Sequence, residues 1–340
     1  MSAGLTGPRS PADRVENTQI GEVRKNKGGT GDAVRIALPK PTYSSIVGPS
    51  VRAVRVGVLI LPEQRWELAA ERWRRAEALG FDHAWTYDHV VWDCLADSPW
   101  FGAVPTLAAA GLVTERIRLG TLVASPNFRH PVPFARELMT LDDMTGGRLT
   151  VGIGAGSRGS DSLLDGRSGL EEKAERFSEF VDLLDRALRG GEVTYEGRYW
   201  SARGVTLIPG CVQKPRIPFA VAASVPSTME VAARHGSIWV TNGDRSHSGP
   251  PLDPTQGAKV VSRQLKRLEE VCRHEGRGLG TIDRLVLTGS RLDAGLGSPT
   301  QFAELVDAYE SVGVTDIVVH WPRADDPYAG DEAVLEQIVG

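Results

Sequence analysis

From Val54 onward, short apolar runs alternate with longer stretches whose apolar residues recur every three to four positions. Such a pattern predicts strands followed by amphipathic helices. The runs at 54–61, 83–86, 117–123, 149–153, 219–223, 237–241, 285–289 and 316–319 read as strands. The periodic stretches at 66–79, 105–113, 133–144, 170–189, 226–235, 255–275, 300–312 and 332–339 read as helices. Gly80 suits a left-handed helix end, and Pro105 suits a first helical turn. One interruption, V-T-Y-E-G-R-Y-W, follows the helix after the fourth strand and reads as an inserted hairpin. Eight strand–helix pairs over about 290 residues predict an α/β fold, a (β/α)8 TIM barrel with an insertion after strand 4. E-A-L-G-F-D-H-A-W at Glu77 and E-S-V-G-V-T-D-I-V-V at Glu310 repeat the helix–glycine–strand joint of such a unit. A doubly wound open sheet alternates in the same way, so closure is an expectation that the alternation alone does not decide.

The first fifty residues break the pattern. They are rich in Gly, Pro, Ser and Thr and carry Arg24, Lys25 and Lys27 before Gly28-Gly29. Residues 1–50 are expected to be a disordered extension, or a start assigned too early, with at most a short strand near 34–38. The barrel domain is expected to occupy 51–340. With 39 basic against 43 acidic residues, no basic excess exists to hold a phosphate backbone, and nucleic acid is not expected as a partner. The apolar runs are strand-length and no N-terminal stretch has signal-peptide form, so neither a membrane span nor secretion is expected. Cys94, Cys211 and Cys272 are scattered without a CxxC, which predicts no metal site, no disulfide framework and a cytoplasmic location.

The candidate chemistry gathers at strand C-termini, where barrels carry their active sites. Gly154-Ala155-Gly156-Ser157-Arg158-Gly159 matches G-x-G-x-x-G after a strand. It does not open directly into a helix, and the acidic residues about 20 positions on, Glu175 and Glu179, fall inside a helix, so the Rossmann fingerprint is rejected. Gly152, Gly154 and Gly156 would let a flat ring or a phosphate approach the main chain; a plain tight turn is the other reading. Asp88 and His89 end the second strand. His89 could move a proton with Asp88 orienting it, or the two could be a surface pair. Trp92, Trp100 and Phe101 crowd the same loop and suit the wall of a substrate pocket or core packing beneath it. Arg129 could meet an anion or a carboxylate. Ala223, Ser224 and Val225 lead into a helix N-terminus, which is either an anion site or an ordinary cap.

These residues resemble the bacterial-luciferase-like flavin- and deazaflavin-dependent oxidoreductases. The resemblance rests on R-I-R-L-G-T-L-V with F-R-H-P, on T-L-D-D-M-T-G-G-R-L-T-V-G-I-G-A-G, and on W-T-Y-D-H and V-A-A-S-V-P. It covers about residues 54–319 and is most specific over 114–156. It implies a TIM barrel with coenzyme F420 or FMN across its C-terminal mouth. Thr121, Leu122 and Val123 would form a bulge, often with a non-prolyl cis peptide, supporting the tricyclic ring. Gly154, Ala155 and Gly156 would meet the ribityl and phosphate portion, and Ala223, Ser224 and Val225 would offer N–H groups to the phosphate. Asp88 and His89 would sit at the reacting face. The chain departs from the family in three places. Ser224-Val225 replaces adjacent glycines, and Gly236-Ser237-Ile238-Trp239 replaces A-D-G-W. Ser157 stands where the sugar-phosphate dehydrogenases carry Glu, so that reaction is not expected.

The leading expectation is an F420-dependent oxidoreductase exchanging a hydride with a small organic substrate. A monooxygenase using reduced FMN and O2, with a partner reductase, is the first alternative. A cofactor-binding barrel without turnover is the second. Relatives often dimerise through barrel helices, which implies a homodimer.

Overall fold

Every barrel strand in this chain is apolar on both faces, because one face meets helices and the other fills the barrel. A computed structural model describes residues 54–156 and 169–339. The expectations for residues 1–50 and for the polar loop containing Ser157 lie outside the described residues. Eight parallel strands close in the order β1 (Arg55–Leu59), β10 (Asp316–His320), β9 (Asp283–Leu287), β8 (Ile238–Thr241), β7 (Phe219–Ala222), β4 (Leu149–Gly154), β3 (Arg118–Ala124) and β2 (His83–Thr86). The barrel expectation is borne out. The first four strands are followed by helices α1 (Trp66–Leu79), α2 (Ala103–Val113), α3 (Pro131–Met144) and α4 (Leu170–Arg189). The antiparallel hairpin β5 (Glu192–Glu196) and β6 (Ser201–Thr206) stands between α4 and β7, at the predicted interruption. Helices α5 (Pro226–His235), α6 (Pro254–His274), α7 (Pro299–Glu310) and α8 (Glu332–Gln337) complete the ring.

Alternate residues divide the core in two. Val56, Val58, Val151, Ile153, Ile317 and Val319 point outward to the helices. Leu59, Trp85, Leu122, Leu285 and Val318 point inward. Trp85 is large for a barrel interior, and Gly120 makes room for it: a Cβ there would lie about 2.5 Å from the indole. Element ends differ from expectation by about two residues. β9 begins and ends earlier because the chain turns out at Gly289, with φ at +86°. α3 begins at Pro131, where the His130 Nδ1 accepts the Val132 N–H at 3.2 Å.

The N-terminal end of the barrel is closed by charge. Asp316 accepts from Arg55 at 2.7 and 2.8 Å and lies 3.1 Å from the His83 Nε2, while Arg55 also reaches Asp283 at 2.6 Å. The Trp85 indole donates to the His83 Nδ1 at 2.7 Å, tying this plug to the inner core. Among the described residues no helix is long and apolar enough to cross a membrane.

Candidate active site

The opposite, C-terminal end is open, and its floor comes from an irregularity in β3. The β3–β4 register runs Thr121 to Val151 and then jumps to Ala124 against Ile153, leaving Leu122 and Val123 as a bulge joined by a cis peptide. The Thr121 hydroxyl donates to the Gly152 carbonyl at 2.8 Å and fastens the bulge to β4. The glycines opposite are explained by this contact. A Cβ at Gly152 would collide with the Thr121 carbonyl, and one at Gly154 would lie 2.8 Å from the Val123 Cγ2. They make room for the bulge.

A cavity of about 280 Å3 opens above it. Of the residues singled out in the sequence, His89, Trp92, Leu122, Val123, Gly154, Ala155, Gly156, Ala223, Ser224 and Val225 line it. Thr121 lies buried beneath. Val225 caps α5 and is 48% exposed, and the Thr228 hydroxyl donates to its carbonyl at 3.0 Å. The N-terminus of α5 thus faces the mouth.

The β2 rim is organised by stacking and by one buried ion pair. The His89 ring stacks on Trp92 at 4.7 Å between centroids and meets the Tyr87 ring edge-on at 5.7 Å. Asp88, 4% exposed, accepts from the Arg129 guanidinium at 2.7 and 2.9 Å. Arg129 in turn lies over the rings of Phe128 and Phe134. Asp88 therefore links the ends of β2 and β3. Trp100 and Phe101 do not reach the central cavity. They line a second, open hollow with Val90 and Arg129, and His89 is the lining residue common to both hollows. The Trp100 indole donates to the His89 carbonyl at 2.9 Å, supporting that residue from behind.

Among the polar residues of the site not singled out from sequence are Tyr87, Tyr328, His320, Arg245 and Arg291. All but His320 line the cavity. His320, at the end of β10, lies 2.8 Å by its Nε2 from the Tyr87 hydroxyl. Burial pushes the His320 imidazole down to about 3, against a small opposing effect of the Thr288 main chain. Burial also pushes both phenols up, with Tyr328 adding to the rise at Tyr87. Near neutral pH these three groups are uncharged. No Asp or Glu is among the described residues lining the cavity, which include Arg245 and Arg291.

A model of the luciferase-like monooxygenase family matches residues 52–250. An F420-dependent glucose-6-phosphate dehydrogenase of Microbacterium testaceum is 32% identical over 224 residues, 62% of this chain and 60% of that protein. The chain thus spans somewhat under two thirds of that relative's length. The 5,10-methylenetetrahydromethanopterin reductase of Methanopyrus kandleri is 26% identical over 301 residues, 84% of this chain and 79% of the reductase. Among solved structures, an F420-dependent secondary alcohol dehydrogenase in complex with an F420-acetone adduct superposes with a TM-score of 0.68 at 17% identity. That match covers 84% of this chain and 98% of the other.

Proposed function

We propose, since this chain belongs to the luciferase-like monooxygenase family, that it is an oxidoreductase exchanging a hydride between coenzyme F420 and a small organic substrate. The observation carrying this reading is the C-terminal cavity, which joins an apolar floor to a rim carrying Arg245 and Arg291. Two curated relatives, named as an F420-dependent dehydrogenase and a methylenetetrahydromethanopterin reductase, support the choice of redox chemistry.

The residues present fit a deazaflavin by their chemistry. Leu122, Val123, Val240 and Leu287 offer apolar walls to a flat ring. The main chain from Gly154 to Gly156 would hold the ribityl portion. Ala223, Ser224 and Val225, at the α5 N-terminus and with Arg245 nearby in the rim, would hold the phosphate. The bound cofactor supplies hydride donation and acceptance; the protein supplies orientation, exclusion of water and a proton. His89 would move the proton. Its ring is half-buried, fixed by the Trp92 stack, and reaches both the cavity and the outer hollow. Asp88 holds the end of β2 through Arg129 and so sets where His89 stands.

Two measurements test this. Titration of the protein with F420 and separately with FMN, followed by cofactor fluorescence, should give tight binding of F420. Binding of FMN alone would replace the reading with oxygen chemistry, and binding of neither would end it. In His89→Ala, F420 binding should persist while turnover of F420 with an accepted substrate drops about 100-fold or more, the usual scale of a lost general acid. Full turnover in that variant would remove His89 from the mechanism.

A further inference from the structure

Tyr87 and Tyr328 arrive at one corner of the mouth from opposite ends of the barrel sequence, the end of β2 and the loop after β10. Both line the cavity, and the Tyr87 hydroxyl lies 2.8 Å from the His320 Nε2. The Tyr328 ring lies flat on the His320 imidazole, 3.7 Å between centroids and 7° between planes. The loop carrying Tyr328 is pinned. Arg323 donates to Glu63 at 2.8 Å and to the carbonyls of Asp325 and Pro327 at 3.0 Å, and its own N–H bonds the Tyr328 carbonyl. Tyr328 has φ at +71°, a left-handed conformation unfavourable for any residue with a Cβ. Such outliers persist where the surroundings over-determine them, and they gather at ligand-binding sites.

A neutral imidazole carries one N–H, and the His320 Nε2 holds the Tyr87 hydroxyl at 2.8 Å. Tyr328 lines the cavity and brings it a phenol hydroxyl, which can both donate and accept. Arg291 is the cation acting on both phenols, and no carboxylate lines the cavity among the described residues.

We propose that Tyr328, backed by Tyr87 and His320 and flanked by Arg291, binds a substrate oxygen that bears or develops negative charge. The substrate class is then a carbonyl compound. This assignment rests on the hydride-transfer reading for its reaction, though not for binding itself. In the reducing direction the carbonyl carbon gains the hydride that the reduced deazaflavin gives up. The C=O pair moves onto oxygen beside the Tyr328 hydroxyl, and the oxygen then takes one proton, so that a ketone or aldehyde leaves as an alcohol. Donors aimed at the oxygen that gains charge favour the transition state over the ground state. His320 touches no substrate and is a positioning residue.

The test uses 4-nitrophenol, whose phenolate has its own visible absorption, added to the full-length protein. The protein should bind the phenolate in preference to the neutral phenol. Tyr328→Phe keeps the ring and its stack, and should weaken phenolate binding about tenfold, the scale of one charge-assisted hydrogen bond. Arg291→Gln should also weaken it, and Tyr87→Phe should lower the preference for the ionised form by removing the second hydroxyl of this corner. Absence of binding, equal binding of phenol and phenolate, or unchanged affinity in Tyr328→Phe would overturn the proposal. Phenolate binding in a protein that fails to bind F420 would instead overturn the redox reading and leave this corner standing.

Discussion

Replacing Gly152 with alanine is expected to lower stability by about 3 kcal/mol and to abolish measurable F420 binding, whereas Gly154→Ala should cost about 1 kcal/mol. The two glycines stand two residues apart on one strand and face the same bulge, yet they meet different atoms. At Gly152 the added methyl would enter the space of the Thr121 carbonyl oxygen and its carbon. Those are main-chain atoms of the bulge, already fastened by the Thr121 hydroxyl to the Gly152 carbonyl at 2.8 Å. Relief requires moving β3 away from β4, which displaces Leu122 and Val123 from the cavity floor. At Gly154 the first atom met is the Val123 Cγ2, the end of a side chain that can turn to another rotamer at modest cost. Urea unfolding and a fluorescence titration of each variant check the pair. Equal losses in both, or an F420 affinity unchanged in Gly152→Ala, would show that the β3–β4 contact does not shape the floor.

That contrast marks what the sequence discloses and what it withholds. The glycines of G-I-G-A-G are visible as a departure from strand composition, and Gly154, Ala155 and Gly156 line the cavity at the end of β4. Their reason is not visible, because the β3 bulge that they face, the Thr121 carbonyl at Gly152 and the Val123 side chain at Gly154, lies about 30 residues earlier on another strand. The bulge with its cis peptide at Leu122–Val123 is expected only through family resemblance, and composition carries no sign of it. The alternation of apolar runs is a local property, which is why all eight barrel strands and the inserted hairpin fall within a few residues of expectation.

Pairings across the barrel are a different matter. Trp85 and Val318 point inward, and strand parity carries that direction on to Tyr87 and His320, two residues further along each strand. Closure places β2 and β10 on either side of β1, so these two residues meet although 233 positions separate them. Parity could have nominated both once closure was assumed. Tyr328 had no such signal, since it comes from a turn-rich stretch, D-D-P-Y-A-G, without periodicity. Trp100 and Phe101 lie close to His89 in sequence, yet they line the outer hollow and not the central cavity, a separation that sequence spacing does not show.

Asp316→Asn is expected to destabilise the protein by about 3 kcal/mol near neutral pH, and the difference from the parent should shrink below about pH 4. Asp316 is 1% exposed and accepts hydrogen bonds from Arg55, His83 and Thr315 at the closed end of the barrel. Burial on its own would raise this carboxyl. The bonds from His83 and Arg55 outweigh it and hold the group well below the usual carboxylate range. A carboxyl held below its unfolded value of about 3.9 adds stability at every pH above that value, and the contribution is lost as pH falls toward the folded value. The asparagine variant lacks the charge and so lacks this dependence. Its loss should fall short of the roughly 5 kcal/mol upper range for a broken buried pair. The reason is that the Arg55 side chain is 37% exposed, retains Asp283 at 2.6 Å and can be resolvated. Urea unfolding of both proteins at several pH values reads the gap directly. A gap that stays constant from about pH 3 to pH 7 would mean that shape rather than charge closes the barrel at this end.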